Sequence, residues 1–175
     1  GVFEVGMTDA AASPTFASNL TAIANHIKDR YMVDNNEWEL VLYEKVGIGT
    51  GAMANNPWLQ EMPDPISRAT WDNYLTAPQK YAQEKKIMSS EGKTQLIQVS
   101  GGAVDLKAPL LEQPGQAHQT FGLALGYGRN KAGAVADNLG VNAFPMAQYV
   151  DGVLQCEVFS GLEFTLTDER YQLAQ

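Results

Sequence analysis

The sequence has little cysteine, histidine or positive charge. Cys156 is the only cysteine, so an internal disulfide is excluded, and one thiol cannot supply the four ligands that an iron–sulfur cluster usually needs. The two histidines, His26 and His118, lie far apart in sequence and have no metal-binding neighbours. The chain has 12 basic against 20 acidic residues and a net charge of −8, without a Lys/Arg cluster, which argues against a nucleic-acid partner.

Long apolar runs are also missing. No stretch approaches the roughly 20 apolar residues that cross a bilayer, so we expect no direct membrane span. No basic start with an apolar stretch and a small-residue cleavage site is found either. The chain begins without Met and its last residues resemble an interrupted strand, so we expect a piece of a larger protein, whose targeting these residues do not reveal.

The composition is that of one ordinary folded domain. A chain of 175 residues with 45% hydrophobic residues has enough apolar side chains for one core. Only 18% of the residues are charged, below the usual level of about 25%. This favours a chain that rests against partners. Cys156 lies in a strand-like stretch and is expected to be a buried, inert thiol.

The stretch from Asn55 to Asn73 is the most distinctive part of the sequence. It contains Trp58 and Trp71 together with prolines at positions 57, 63 and 65, which argue against a regular helix or a central strand through it. We expect either a scaffold loop, with its tryptophans pinned on the core through their indole N–H groups, or a loop shaped around a ligand on which they stack. Its carboxylates are interpreted as solvated or loop-bracing groups.

Apolar periodicity predicts one long helix, one short helix and several short strands. Ser13 and Pro14 suit the start of a helix that continues to Tyr31, and a short helix is expected from Thr76 to Lys86. Short strands between Gly/Pro-rich turns favour a closed β-barrel with helical additions, although the pattern also allows an α+β sandwich. The predicted strands are Trp38–Val46, Thr94–Val99, Ala103–Leu111, Gln119–Gly128, Val153–Phe159 and Leu162–Thr167.

Three groups of residues carry a family resemblance: Asn56–Ile66 with Trp71–Asn73, Pro114–Gln116 followed by Gly122–Arg129, and Gly140–Pro145. Together they resemble the C-terminal domain of the molybdopterin oxidoreductase superfamily. In order and spacing they are most similar to the large iron–sulfur subunit of bacterial alternative complex III, a quinol:electron-acceptor oxidoreductase component. The resemblance covers residues 37–175, and its most specific sequence motifs are Gly-Tyr-Gly-Arg and Trp-Leu-Gln-Glu.

The resemblance implies a mainly β fold with helices, a double-psi β-barrel over residues 37–175. In true molybdoenzymes this domain closes over the pterin dinucleotide. Residues 1–36 are then an N-terminal helical segment that packs on the barrel. The superfamily places an Ala-containing helix, Gly-Ile and Gly-Asp before the first barrel strand. Ala82 and Ile87 match, whereas Lys86 replaces the glycine and the Gly-Asp turn is absent, which fits the alternative complex III branch without molybdenum.

The resemblance also implies a set of candidate cofactor-binding residues, and no catalytic or metal-binding residue. Glycine leaves the backbone open to a pyrophosphate, Arg129 would contact a phosphate with two N–H groups, and Asn142 would pair with a pterin or guanine edge. A structural interpretation is equally concrete, with glycines that permit a tight turn and Arg129 paired with a carboxylate. The candidates are Asn56, Trp58, Gly126, Tyr127, Gly128, Arg129 and Asn142.

The leading functional hypothesis from the resemblance is a scaffold domain, not catalytic by itself, of a molybdopterin-oxidoreductase-like iron–sulfur subunit in a respiratory quinol-oxidising complex. It implies no cofactor in this segment and 4Fe-4S clusters elsewhere in the parent protein. Its partners would be other domains of the parent and other subunits of a membrane-bound complex, on the periplasmic side. One alternative is an authentic molybdopterin guanine dinucleotide-binding domain of a molybdenum oxidoreductase. Another is a non-redox binding or assembly module.

Overall fold

The computed structural model describes residues 19–31, 37–87, 93–101, 104–150, 152–158 and 161–175. The chain divides into two compact units, Gly1–Met32 and Val33–Gln175. Among the described residues, no helix is long and apolar enough to cross a membrane. The expected packing of the N-terminal segment on the second unit stays a prediction.

Helix α1, Leu20–Tyr31, is the described part of the first unit. It agrees with the C-terminal part of the predicted helix, while residues 13–18 lie outside the described residues. The Asn19 side chain accepts a hydrogen bond from the Ala22 N–H (3.2 Å), as expected where free N–H groups begin a helix. Leu20, Ile23 and Ile27 recur at helical spacing, and all three are exposed.

The second unit contains nine described strands: β1 Glu39–Tyr43, β2 Leu75–Pro78, β3 Lys93–Gly101, β4 Val104–Gln113, β5 Thr120–Ala124, β6 Gln148–Val150, β7 Val153–Gln155, β8 Glu157–Val158 and β9 Glu163–Gln172. Seven of them form one sheet with the order β8-β1-β5-β2-β4-β3-β9. Two pairs, β1–β5 and β2–β4, are parallel, and the other neighbouring pairs are antiparallel. A separate two-stranded sheet pairs β6 with β7.

Three short helical segments accompany these strands: α2 at Pro57–Glu61, α3 at Gln79–Glu84 and a 3₁₀ turn at Phe144–Met146. The expectation of a mainly β fold with helices is therefore confirmed at this level. The finer arrangement of the strands as a double-psi barrel stays a prediction.

The main core lies on one face of the central strands. Leu40 and Leu42 of β1 are buried, while the residues between and beside them are half-buried, so the strand alternates as the period of two requires. Phe121 of β5 is fully buried, and its ring lies 4.7 Å from Trp38 and 4.4 Å from Phe164 between centroids. These aromatic contacts tie β1, β5 and β9 into one apolar layer.

Two expectations about local structure are wrong. Leu75–Pro78 is strand β2 and the helix begins only at Gln79, because these apolar residues pair with β4 and β5 in the sheet interior. The segment with three prolines does contain a short helix, α2, because Pro57 occupies its first turn, where no N–H partner is required.

The predicted strand Val153–Phe159 is divided at Cys156 into β7 and β8, which join different sheets. Cys156 is only half-buried and packs against the main core. The buried position expected for this thiol is therefore corrected to a partly exposed one at the break between two strands.

The side chain of Asn73 joins the sheet to a distant loop. Its Nδ2 donates to the carbonyl oxygens of Ala124 (2.8 Å) and Val141 (2.9 Å), and its Oδ1 accepts from the Val141 N–H (2.8 Å). Asn73 is fully buried, so no water can replace these bonds. Gly140 lies so close that a Cβ there would collide with Asn73 Oδ1.

Asn73→Ala should lower the free energy of unfolding by about 2–4 kcal/mol, because it leaves buried backbone groups of Ala124 and Val141 without partners. The measurement is urea denaturation followed by circular dichroism. Asn130→Ala is the matched control, because Asn130 is exposed, and it should stay within about 0.5 kcal/mol of the unaltered protein. Equal stability of the two variants would show that the amide bridge is dispensable.

Candidate functional site

Gly126 and Gly128 follow β5 and allow two loops to approach each other closely. Their φ angles are +93° and +71°, which side chains rarely adopt. A Cβ at Gly126 would lie 2.7 Å from the Gly49 carbonyl oxygen, and one at Gly128 would collide with the backbone of Asn142. The Gly128 N–H donates to the Leu139 carbonyl (2.7 Å), so it is engaged within the protein. These glycines serve the close packing that the structural interpretation expected.

An open pocket of about 420 Å³ lies beside these glycines. Four of the seven candidates line it, namely Tyr127, Gly128, Arg129 and Asn142, together with Lys131. Gly126 lies next to them in sequence but does not line the pocket. Three of these four residues are consecutive in the sequence, and the fold places Asn142 beside them.

Arg129 is held at the pocket by the backbone. Its Nη2 donates to the Thr50 carbonyl oxygen (2.9 Å), and a Cβ at Gly51 would lie 2.8 Å from its Nε. Within the described ranges no carboxylate oxygen lies within 4 Å of the guanidinium. A guanidinium has five N–H donors, so most of them remain available to an anion. The alternative of an ion pair with a carboxylate is thus not realised among the described residues.

Asn56 and Trp58 do not line this pocket. The Asn56 side chain caps α2, where its Oδ1 accepts from the Trp58 N–H (3.0 Å). Trp58 itself is 80% exposed, so it is not pinned on the core as the scaffold interpretation expected. Asn55, their neighbour, reaches the loop beside the pocket and accepts from the Val135 N–H (3.0 Å).

A buried lysine was not predicted from the sequence as a candidate site residue. Lys45 is only 7% exposed, and its Nζ donates to the Asp72 carbonyl oxygen (3.0 Å). The same Nζ lies 4.3 Å from the ring centre of Tyr74 and 5.3 Å from that of Tyr127. Two aromatic faces and one carbonyl therefore replace much of the water that an ammonium group usually binds. A single lysine at the end of an apolar strand carries no distinctive sequence signal.

The surroundings of Lys45 shift several pKa values. Burial lowers the pKa of Lys45 to about 8, against the opposing effect of Asp64 and Asp72. Burial alone would raise the pKa of Asp64, but hydrogen bonds from the Ser67 and Ile66 N–H groups and the charge of Lys45 outweigh it and lower that pKa. Asp64 therefore stays ionised and braces its own loop, as expected for carboxylates in this segment.

The tyrosines around the lysine remain protonated. Burial, followed by the charges of Tyr74, Asp72 and Asp64, raises the pKa of Tyr127 far above its ordinary value. Burial also raises the pKa of Tyr74 to about 12. Tyr127 lies between Lys45 and the open pocket, since it lines both that pocket and a smaller cavity beside the lysine. It is therefore a neutral hydrogen-bond donor throughout the physiological pH range.

In the described part of the chain, no group of three or more His, Cys, Asp or Glu side chains is placed to hold a metal ion. No protein-family model matches the sequence, and no curated protein matches it either.

The burial of Lys45 predicts a stability that rises with pH. Its folded-state pKa of about 8 lies below the ordinary 10.5, so between these values the unfolded chain binds more protons than the folded one. Relative to Lys45→Met, the free energy of unfolding of the unaltered protein should increase by about 2–3 kcal/mol from pH 7 to pH 10. Urea denaturation at each pH measures this difference.

Lys107→Met is the control, because Lys107 lies on the partly exposed side of β4 and pairs with Glu169. Its difference from the unaltered protein should stay nearly constant over the same pH range. If the free energy of unfolding of Lys45→Met and that of the unaltered protein changed in parallel with pH, the lowered pKa of Lys45 would be contradicted. Above pH 10 the raised pKa values of Tyr74 and Tyr171, both about 12, act in the opposite direction and lower the stability of every variant.

Proposed function

We propose that this chain is a non-catalytic scaffold domain of a molybdopterin-oxidoreductase-like iron–sulfur subunit in a respiratory quinol-oxidising complex. The observation that carries the proposal is an exposed apolar segment, residues 46–66. Large exposed apolar side chains concentrate there, namely Val46, Met53, Trp58, Met62 and Ile66. Concentrations of this kind are typical of surfaces that contact another protein.

Trp58 is the strongest single contact group on the exposed apolar segment. Tryptophan is enriched among the residues that contribute most to protein–protein binding. The capped helix α2, begun by Asn56 and Pro57, fixes the backbone from which this indole projects. An exposed indole on a fixed backbone offers a large apolar area to a partner, which supports a contact surface at this position.

The double-psi β-barrel is the proposed finer fold of the second unit, and the only support for it among the described strands is two parallel pairs in a mixed sheet. The parallel pairs β1–β5 and β2–β4 each require a crossover connection instead of a hairpin. The two crossovers are nested in sequence, because β2 and β4 both lie between β1 and β5.

The test is to isolate the full-length protein that contains this chain from its native membrane in mild detergent. We expect partner subunits and iron–sulfur clusters that quinol reduces, detected by electron paramagnetic resonance. Trp58→Asp should lower the yield of partner subunits about tenfold or more, since it removes a large apolar side chain that is buried in the proposed contact with the partner. Tyr149→Asp is the matched control, because Tyr149 is equally exposed but lies on β6.

Recovery without clusters, or equal loss of partners in both variants, would contradict the scaffold proposal. Loss of the clusters together with retained partner subunits would indicate a different role for Trp58. Circular dichroism of both variants shows whether the fold is intact, so that misfolding is not mistaken for lost contact.

The pocket beside Gly128 favours one alternative, an authentic molybdopterin guanine dinucleotide-binding domain. Arg129 and Lys131 place two positive charges at one pocket of a chain with a net charge of −8. Asn142 offers an exposed amide, although its Oδ1 accepts from the Phe144 N–H (3.1 Å). These residues would hold the phosphates and the guanine, and the cofactor's metal-bearing pterin would supply the redox chemistry.

Calorimetric titration with molybdopterin guanine dinucleotide tests the alternative. Under it we expect saturable 1:1 binding that Arg129→Gln weakens about tenfold or more, because a charge-assisted contact to phosphate is lost. Lys107→Gln is the control, since Lys107 lies outside the pocket and should leave binding unchanged. Absence of saturable heat would reject the alternative and leave the scaffold proposal standing.

A further inference from the structure

A groove that is separate from the Arg129 pocket crosses the central strands on the face opposite to the main core. Leu40 and Leu42 of β1 and Leu75 and Ala77 of β2 point into the main core. The alternate positions therefore lie on the opposite face. A groove of about 360 Å³ with mainly apolar walls lies there, and Val41, Tyr43, Thr76, Gly122, Asp64 and Ile66 are among the residues that line it.

Gly122 shapes the floor of this groove. It pairs with Val41 on one side and with Thr76 on the other. A Cβ at position 122 would lie 2.5 Å from Thr76 Oγ1 and 3.3 Å from Tyr43 Cε1. The missing side chain therefore lets the Tyr43 ring lie against β5, where it forms a flat wall.

Polar side chains also line the groove, among them Gln113, Gln116 and Thr120. Two further polar groups, those of Asp64 and Tyr43, have hydrogen-bonding capacity that no described residue uses. Asp64 Oδ1 accepts from the N–H groups of Ile66 (3.0 Å) and Ser67 (2.9 Å), whereas Oδ2 accepts no hydrogen bond from any residue that the structure describes. The Tyr43 hydroxyl likewise has no hydrogen-bond partner among the described residues. One acceptor and one donor are therefore available beside an aromatic ring.

From this arrangement we propose that the groove binds a small, neutral, planar aromatic molecule that carries a hydroxyl group. The ring of the ligand stacks on Tyr43 over Gly122, its hydroxyl donates to Asp64 Oδ2, and the Tyr43 hydroxyl donates to a polar atom of the ligand. The volume is at the lower end of the range of about 300–1,000 Å³ for small-molecule sites.

The protonation states of both groups suit this ligand. Burial, followed by the charge effects of Tyr74, Asp64 and Tyr127, raises the pKa of Tyr43, so its hydroxyl remains a donor. The pKa of Asp64 is lowered, so its carboxylate remains an acceptor. Lys45 already compensates the charge of Asp64, and an ionised carboxylate repels anions, so a neutral hydroxyl fits better than a charged group.

The test is an NMR titration of ¹⁵N-labelled protein with phenol, toluene and benzoate. Phenol should shift the amide signals of Val41, Thr76 and Gly122 with a Kd on the order of 1 mM. Toluene should bind about fivefold more weakly and benzoate not measurably. Tyr43→Phe should weaken the binding of phenol about fivefold and leave the binding of toluene unchanged, since the substitution removes only a hydroxyl group.

Tyr149→Phe is the control variant and should bind phenol as the unaltered protein does, because Tyr149 lies outside the groove. The proposal is overturned by equal binding of phenol and toluene, by preferred binding of benzoate, or by shifts outside the groove. None of the residues that line the Arg129 pocket lines this groove. Failure here therefore leaves the scaffold proposal and its dinucleotide alternative untouched.

Discussion

The buried amide of Asn73 is the constraint on which the arrangement of the second unit depends. Its three hydrogen bonds hold the end of β5 and the segment at Val141 at fixed positions. The neighbouring carboxylate of Asp72 extends the same junction, since its Oδ1 accepts from the Gly140 N–H (3.0 Å) and its Oδ2 from the Tyr171 hydroxyl (2.6 Å). Two adjacent side chains thus fix three chain segments that are far apart in sequence.

That junction also explains where the candidate sites lie. The backbone carbonyl of Asp72 holds the Lys45 ammonium group, and the residues that follow β5 lead directly to Arg129. Burying a charge is costly unless polar or aromatic groups replace its water. Burial lowers the pKa of Lys45, and shifts of this kind occur at functional sites as well as in structural networks.

Local patterns predicted some features well and others badly. Gly126, Gly128 and the residues after them could be grouped from sequence because adjacent residues remain neighbours in any fold. Asn56 and Trp58 were grouped with them by resemblance. In the structure, however, Asn56 caps the separate short helix α2, Trp58 lies within that helix, and neither residue lines the pocket. The groove over Gly122 was not predicted, because a glycine within a strand shows only that a side chain is missing and not which neighbours use the space.

Periodicity by itself determined that the chain has short strands and enough apolar side chains for a core, and it predicted the helix that ends at Tyr31, while the choice of a mainly β fold came from the resemblance. The helix and the strands follow from interactions between residues close in sequence and from the period of two along a strand. Only the tertiary structure decided that Leu75–Pro78 is a central strand, that Lys45 is buried and that Asn73 bridges distant segments. The reason is that each of these depends on partners supplied by remote parts of the chain, which no local pattern encodes.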